Sequence, residues 1–185
     1  RGRGKIYKDY KRNRAGINAR KHKGIDVRDK IRNIGINPDS LRLNWESKYE
    51  ADKEADDLLA ELSIRHLRRG EKVVVMSKDS DLYQILNWHE NIRLHDFTKE
   101  ITKEMVYEKT GLPCENYVDW KSLSGDSSDN IPGMNGIGPA KAKKIIEEYG
   151  GLDNIPDEYF IKDEINYRDK ILDYKKIITL PFKGN

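Results

Sequence analysis

Hydrophobic residues in the middle of the chain alternate between the spacing of helices and the spacing of strands. The unbroken apolar run inside residues 72–77 is typical of a strand buried in a parallel sheet. Residues 50–69 instead carry apolar side chains on one broad helical face, and Gly70 follows as a stop signal. The pattern predicts helices at residues 50–69, 81–88 and 102–110 and strands at residues 72–77 and 92–95. Such alternation predicts an α/β fold with a mostly parallel central sheet flanked by helices.

The segments on either side of this core have a different character. Residues 41–45 alternate like one more strand, whereas residues 15–37 are interrupted by glycines and predict a loop with a short helix. The last third of the chain has a helical pattern broken by Gly and Pro. We therefore expect an α/β core at residues 1–116 and a helical subdomain at residues 117–185.

Charge is distributed unevenly along the 185 residues, whose net charge is +3. Residues 1–32 contain 13 Lys and Arg against three Asp, a net charge of +10, and the remainder carries −7. Within this basic arm, residues 5–14 interleave aromatic side chains with cations. The distribution suits a protein that attracts phosphate with one part and binds cations with another. A solvated basic tail would explain the arm equally well.

Composition excludes several kinds of site. Cys114 is the only cysteine, so neither an intrachain disulfide nor a zinc site made of cysteines can form. No apolar run approaches the roughly 20 residues that a membrane-spanning helix needs. We therefore expect a protein of a reducing, cytosolic environment without a membrane partner.

Acidic residues form three clusters at positions where they can meet. The clusters are Glu54, Asp56 and Asp57 at a helix start, Asp79 and Asp81 after the Val-rich strand, and Asp126 and Asp129 around a turn. Ligand sites in open α/β sheets collect beyond the carboxyl ends of the strands, so the clusters can face one site. Oxygen ligands of this kind select Mg²⁺ or Mn²⁺, and two such ions can support phosphodiester hydrolysis. Each cluster alone is also explained by a helix cap or a turn, but three together favour a metal site.

Residues 126–150 have the pattern of a helix-hairpin-helix motif. Pro139 presets the first turn of the second helix, and Gly136 and Gly138 let backbone amides face a DNA phosphate. The lysines that add positive charge to this helix are Lys141, Lys143 and Lys144. A tight turn of purely structural purpose would use the same glycines. A nucleotide-binding loop is disfavoured, because no Gly-Lys-Ser/Thr follows and no strand leads in.

With these motifs in view, the chain resembles the 5′-nuclease family. That family contains phage and bacterial 5′–3′ exonucleases, the nuclease domains of bacterial DNA polymerases, and flap endonucleases. The matching motifs are Tyr10-Lys11-x-x-Arg14, Glu54-Ala55-Asp56-Asp57-Leu58-Leu59, Ser77-Lys78-Asp79-Ser80-Asp81-Leu82-Tyr83-Gln84, and Gly125-Asp126-Ser127-Ser128-Asp129-Asn130-Ile131-Pro132-Gly133, continuing through Gly136-Ile137-Gly138-Pro139. The resemblance runs from about Lys5 to the end of the chain and implies a PIN-like 5′-nuclease core with a helix-hairpin-helix subdomain.

The resemblance also implies a role for each of these residues. All seven clustered carboxylates would hold two Mg²⁺ or Mn²⁺ ions. Lys11 and Arg14 would be catalytic residues that touch the scissile phosphate at the base of a basic arch, at about residues 5–37, through which a single-stranded 5′ end passes. DNA would be bound by Tyr10, Lys11, Arg14, Gly133, Gly136, Gly138, Lys141, Lys143 and Lys144. Carbonyl groups of residues 131–138 would be the candidates to hold a K⁺ ion.

Two aspartates of the family pattern have no counterpart in these residues. One belongs to a first strand and the other lies shortly before the Tyr-Lys-x-x-Arg motif. We expect a preceding segment or a second polypeptide to supply them, together with the strand. The protein is otherwise expected to be a monomer in the cytoplasm of a bacterium or a phage-infected cell.

The resulting hypothesis is a Mg²⁺-dependent 5′–3′ exonuclease and flap endonuclease that hydrolyses DNA near 5′ ends. Its role would lie in replication or repair, with RNA primers as further substrates. One rival is a DNA-binding module without catalysis, which the missing aspartates favour. Another is a metal-dependent ribonuclease of related architecture, which would have no reason to carry the DNA-gripping hairpin.

Overall fold

A computed structural model of the chain describes residues 2–12, residue 50 and residues 53–183. The predicted strand at residues 41–45, the glycine-punctuated stretch 15–37 and Arg14 lie outside the described residues. In the described part of the chain, no helix has the length and apolar character needed to cross a membrane.

Six α-helices and five β-strands are found among the described residues. The helices are α1 (Arg3–Ile6), α2 (Ala55–Leu67), α3 (Lys103–Thr110), α4 (Tyr117–Ser124), α5 (Pro139–Tyr149) and α6 (Arg168–Ile178). The strands are β1 (Val73–Met76), β2 (Ile92–His95), β3 (Glu100–Ile101), β4 (Ile161–Lys162) and β5 (Ile165–Asn166). Segments of 3₁₀ helix occupy Ser80–Asn87, Cys114–Asn116, Ser127–Asp129, Leu152–Asn154 and Asp157–Phe160.

The central sheet has the order β1-β2-β3 among the described strands. Strands β1 and β2 pair in parallel, with Val75 opposite Leu94, and both of these side chains are buried. Strand β3 pairs antiparallel to β2. The prediction that the Val-rich strand is buried throughout is wrong at Val74, whose side chain is 64% exposed. Neighbouring residues of a strand face opposite sides, so Val74 points away from the side on which Val75 is buried.

Local hydrogen bonds explain where the helices begin and end. Helix α2 begins at Ala55 rather than at residue 50, because Glu54 and Asp57 form a reciprocal capping box at its start. The segment after β1 is 3₁₀ rather than the predicted α-helix, and the Asp79 side chain caps it by accepting from Asp81 N. Helix α3 follows the N-cap Thr102 and ends at Gly111, which adopts a left-handed conformation with φ +71°.

Two hydrophobic clusters lie side by side. One joins the sheet to α2 and the 3₁₀ segment, through fully buried residues such as Leu82, Ile85 and Leu94. The other lies among α4, α5 and α6. Trp120 of α4 packs against both clusters and donates from its indole nitrogen to the Pro139 carbonyl at 3.1 Å. Helix α4 therefore joins the α/β core to the helical subdomain.

Candidate metal centre and nucleic-acid interface

The carboxyl end of β1 delivers the first pair of acidic residues. Ser77 Oγ accepts from Asp79 N at 3.1 Å, and Asp79 Oδ1 accepts from Asp81 N at 3.0 Å. These two bonds fix a tight bend directly after the strand. Asp79 is left exposed at the rim, whereas Asp81 points inward, where burial raises the pKa of its carboxyl group.

The start of α2 faces this pair. Burial, together with the negative charges of Asp79 and Asp81, raises the pKa of Asp56 to about 6. The carboxylates of Asp56 and Asp81 therefore disfavour their own ionised forms at this place. A bound cation would stabilise the ionised carboxylates and so lower the free energy of such a site.

The third pair lies on the closed loop, residues 126–131, at the end of α4. Asp126 N donates to the Ile131 carbonyl at 2.7 Å, and Ile131 N donates back to the Asp126 carbonyl at 2.8 Å. The Asp126 side chain caps the next turn by accepting a hydrogen bond from Ser128 N at 2.9 Å, and this single 3₁₀ turn carries Asp129 inward. Carboxylate oxygens of Asp81, Asp126 and Asp129 lie within 4.8 Å of one another. This oxygen-only set suits a hard divalent cation.

Lys121 lies in the middle of these carboxylates, although the sequence motifs did not point to it. It is 7% exposed, and its Nζ contacts Asp81 and lies 2.6 Å from Asp126 Oδ2. Burial opposes its charge, but the neighbouring carboxylates raise the pKa of Lys121 above its ordinary value. Hydrogen bonds from Lys121 and Ser128 correspondingly lower the pKa of Asp126, against the effect of burial.

One signal in the sequence could have identified this lysine. Residues 117, 121 and 124 share one face of a helix, and an aromatic residue, Tyr117, predicts that this face packs against the core. A lysine on a buried face requires an acidic partner, and the adjacent motif supplies Asp126.

A second ammonium group enters from the N-terminal segment. Lys11 Nζ lies 2.6 Å from Glu54 Oε2 and 3.6 Å from Asp129 Oδ2. The Tyr10 hydroxyl lies 3.2 Å from the same Glu54 oxygen and 3.1 Å from Asp129 Oδ2. Burial and these two negative charges raise the pKa of Tyr10, so its hydroxyl stays protonated.

The backbone of this segment is bonded to the closed loop. Lys11 N donates to the Asp129 carbonyl at 2.8 Å, and Asn130 Nδ2 donates to the Asp9 carbonyl at 2.7 Å. The structure therefore brings Tyr10 and Lys11 to the same place as six of the seven predicted metal ligands.

Asp57 is the predicted ligand that the structure does not bring to this group. Its two oxygens lie 2.5 and 2.7 Å from the guanidinium nitrogens of Arg3, and Oδ1 also accepts from Phe182 N at 2.7 Å. Although burial opposes ionisation, these contacts lower the pKa of Asp57. For Glu54 and Asp57 the alternative interpretation, a helix cap, accounts for their contact. The role of Asp57 as a metal ligand stays a prediction, and Arg3 was not anticipated.

The glycine hairpin, residues 131–138, continues directly from the closed loop. Gly133 has φ +68°, and a Cβ there would lie 2.4 Å from Gly125 N and 2.5 Å from the Leu123 carbonyl. Met134 N donates to the same Leu123 carbonyl at 2.8 Å. The hairpin is thus packed directly on the end of α4, and only a residue without a side chain fits at position 133.

Helix α5 continues the hairpin with an uncapped N-terminus. Gly138 is the N-cap, makes no side-chain hydrogen bond there, and Pro139 is the first helical residue. Lys141 and Lys144 are exposed on this helix. Lys143 instead pairs with Glu147 at 2.6 Å and packs its aliphatic stem against Gly111.

Comparison with known proteins identifies the family. A family model described as "5'-3' exonuclease, N-terminal resolvase-like domain" matches residues 1–111. A second, described as "5'-3' exonuclease, C-terminal SAM fold", matches residues 112–181. The chain belongs to the 5′–3′ exonuclease family. The resemblance found in the sequence is confirmed, and so is the α/β core with its helical subdomain, while the division at residue 116 stays a prediction.

Similar proteins include free-standing exonucleases and parts of polymerases. This 5′–3′ exonuclease family member is 30% identical over 165 residues to the 5′–3′ exonuclease of Buchnera aphidicola, covering 83% of this chain and 51% of that protein. It is 46% identical over 102 residues to the thermostable DNA polymerase I of Thermus thermophilus, covering 55% of this chain and 12% of that protein. The chain therefore spans about half the length of one relative and a small part of the other.

Solved structures show the same fold. The phage T5 5′-exonuclease with bound zinc matches with a TM-score of 0.72 and 21% identity, covering 97% of this chain and 70% of that chain. A phage T5 flap endonuclease variant, in complex with DNA and metal ions, matches with a TM-score of 0.64 and 21% identity, covering 96% and 66%. At this identity the likeness establishes the fold of the family member and not its substrate.

Proposed function

We propose that the protein is a structure-specific 5′–3′ exonuclease and flap endonuclease that hydrolyses DNA phosphodiesters near 5′ ends. The observation that carries the proposal is the group formed by Asp81, Asp126 and Asp129, whose carboxylate oxygens lie within 4.8 Å of one another. Asp56 interacts electrostatically with Glu54, Asp79 and Asp81, and the ammonium groups of Lys11 and Lys121 pair with carboxylates of this set. Family membership supplies the class of reaction. The proposed substrates are DNA with 5′ flaps or free 5′ ends and RNA primers, and the proposed state is a monomer.

Mg²⁺, or Mn²⁺, is the proposed cofactor, with two ions in the site. Asp81, Asp126 and Asp129 would hold one ion, since their oxygens already lie within 4.8 Å of one another. Glu54, Asp56 and Asp79 are the candidates for the second, together with any acidic residue that another segment supplies. When bound, such ions neutralise phosphate charge and make water more acidic.

The chain's own residues have distinct tasks in this proposal. Lys11 and Lys121 place ammonium groups beside the carboxylates, where each can bind a phosphate oxygen and stabilise charge that develops during cleavage. Tyr10 keeps its proton and orients Glu54 and Asp129. The hairpin glycines, with Lys141 and Lys144, bind duplex backbone without reading bases.

A second function is supported by one specific observation. Because Lys11 and Lys121 already neutralise carboxylates of the site, the described residues can form a stable cluster without a metal ion. The protein would then be a DNA-binding module that does not cut. Both functions predict binding to branched DNA, and only the first predicts hydrolysis.

Cleavage of a 5′-labelled flap substrate separates the two functions. We expect products only when Mg²⁺ or Mn²⁺ is present, and we expect Asp126→Asn to lose at least about a hundredfold in rate while it still binds the flap. Tight binding without products from the complete protein under every metal condition would favour the module. Faster cleavage of an RNA flap than of a DNA flap would instead indicate a ribonuclease.

A further inference from the structure

The glycine hairpin accepts a hydrogen bond from a distant lysine. Lys162 Nζ donates to the Asn135 carbonyl at 3.1 Å. Lys162 belongs to strand β4, which pairs with β5 in a two-stranded hairpin whose turn residues Asp163 and Glu164 both have positive φ, 52° and 63°. Such a two-residue turn is tight, so the backbone position of Lys162 is set by the turn and by its pairing with Ile165.

The Lys162 ammonium group lies close to Gly136 as well as to the Asn135 carbonyl. Gly136 follows Asn135 with φ +76°, and a Cβ at Gly136 would lie 2.4 Å from Lys162 Nζ. A side chain at position 136 would displace the ammonium group from this place. The glycine allows the loop conformation and also leaves room for this cation.

Several other carbonyls of the hairpin accept hydrogen bonds from backbone amides that are near in sequence. The Ile131 carbonyl accepts from Asp126 N, the Met134 carbonyl from Ile137 N, and the Gly138 carbonyl from Ala142 N. The Asn135 carbonyl differs from these, because its donor is a charged side chain of another element. An ammonium group is a monovalent cation with three hydrogen-bond donors, and a carbonyl oxygen is the ligand that it shares with an alkali ion.

We propose that the Lys162 ammonium group is a built-in monovalent cation of the hairpin and takes the place of a bound K⁺ ion. It holds residues 135 and 136 in the shape that presents their backbone to DNA. The expectation of a K⁺ ion on these carbonyls fits this chain poorly, since the protein's own cation occupies one of them. The inference rests on the proposed function in that the hairpin is taken to bind DNA.

Salt exchange tests the proposal. Binding of a fluorescent duplex with a 5′ flap is measured by anisotropy in KCl and in N-methyl-D-glucamine chloride of equal concentration, without divalent ions. Wild-type affinity should agree within about twofold between the two salts. Lys162→Met should bind about tenfold more weakly in N-methyl-D-glucamine chloride, because the carbonyl loses a charged donor, and should recover in KCl.

Lys170→Met is the matched control. Lys170 lines the same groove beside the hairpin loop, so its removal takes away equal charge without removing the donor to Asn135. Its affinity should fall by the same factor in both salts. Thermal melts give a readout that needs no DNA: KCl should raise the Tm of Lys162→Met above its value in the other salt, and should not do so for the wild type.

Two results would overturn the proposal. One is a wild-type affinity or Tm that rises strongly with K⁺, and the other is a Lys162→Met protein that behaves like the wild type in both salts. If the wild type binds no DNA in either salt, the proposed function fails, while the melts still decide whether Lys162 replaces K⁺.

Discussion

At the scale of single residues, the ammonium group of Lys121 compensates two acidic neighbours. Breaking a buried ion pair by removing one partner typically costs about 3–5 kcal/mol, because the other charge is left uncompensated. We expect Lys121→Met to lower the Tm in EDTA, and Mg²⁺ to raise that Tm by more than it raises the wild-type value. Lys144→Met, on an exposed face of α5, is the control. A Mg²⁺-induced gain no larger than in the wild type would contradict the prediction.

Asp56 makes the stability of the metal-free protein depend on pH. Burial and its acidic neighbours raise its pKa to about 6, whereas aspartates of an unfolded chain titrate near pH 4. The folded protein therefore binds this proton more tightly, and the stabilisation that protonation gives is lost as the pH rises through 6. Asp56→Asn should raise the Tm at pH 7.5, by about 2–4 °C for each kcal/mol of destabilisation by the ionised carboxylate that it removes. The gain should be smaller at pH 4.5. Equal gains at both pH values in thermal melts would be evidence against this assignment.

The sequence located the acidic residues because their spacing and their position after a strand are local properties. It could not separate Asp57 from Asp56. The partner of Asp57 is Arg3, 54 residues away, and only the packed chain shows which carboxylate faces it. The local signal from Tyr117 and Asp126 could have pointed to Lys121, whereas its contact with Asp81, 40 residues before it, appears only in the packed chain.

At the scale of elements, the docking of residues 9–11 on the closed loop depends on Asn130. Asn130 has φ +59°, a conformation that asparagine tolerates better than most residues, and its side chain bonds to the Asp9 carbonyl. We expect Asn130→Ala to cost about 1–3 kcal/mol from strain and the lost bond together, measured by chemical denaturation. Asn130→Gly removes the bond without the strain, so it should destabilise less.

Cleavage by the same two variants tests the position of Lys11. Both lose the bond to Asp9, so both should cut flaps more slowly by a similar factor even though their stabilities differ. If only Asn130→Ala were slow, loop strain rather than docking of the N-terminal segment would control the rate.

The helices and strands with the clearest periodicity were predicted well. Strand β2 and helix α3 lie where the pattern placed them. Alternating buried residues define the strand, and the stop at Gly111 defines the end of the helix. The 3₁₀ form of Ser80–Asn87 was not predicted, since it follows from one side-chain cap at Asp79. The hairpin of β4 and β5 is two residues long in each strand and too short to produce a periodic signal.

At the scale of the whole molecule, Arg3 joins three separate parts of the chain. Its guanidinium group binds Asp57 of α2 and donates from Nε to the Ile177 carbonyl of α6 at 2.7 Å, while Phe182 packs 4.7 Å from it. Arg3→Met should therefore lower the free energy of unfolding by about 3–5 kcal/mol. Arg12→Met, which breaks only the exposed pair with Asp9, should change it by less than about 1 kcal/mol.

The same pair of variants tests the role of Asp57. If Asp57 serves the fold and not the metal, the Mn²⁺ concentration that half-saturates folded Arg3→Met should equal the wild-type value, as measured by calorimetry. Because Arg3 also lies 3.8 Å from Glu54, a change shared by Arg3→Met and Asp57→Asn, with the fold intact, would show that Asp57 reaches the metal.

The direct packing of Gly133 on Gly125 has a consequence for where a strand would be cut. No linker separates the closed loop from the hairpin. If the hairpin binds a phosphate as proposed, the distance from that phosphate to the carboxylates is therefore fixed. In the proposed function the incision is counted in nucleotides from the duplex junction, whatever the length of the overhanging strand. A longer overhang would change how quickly the strand is captured, and the register of the cut would stay the same.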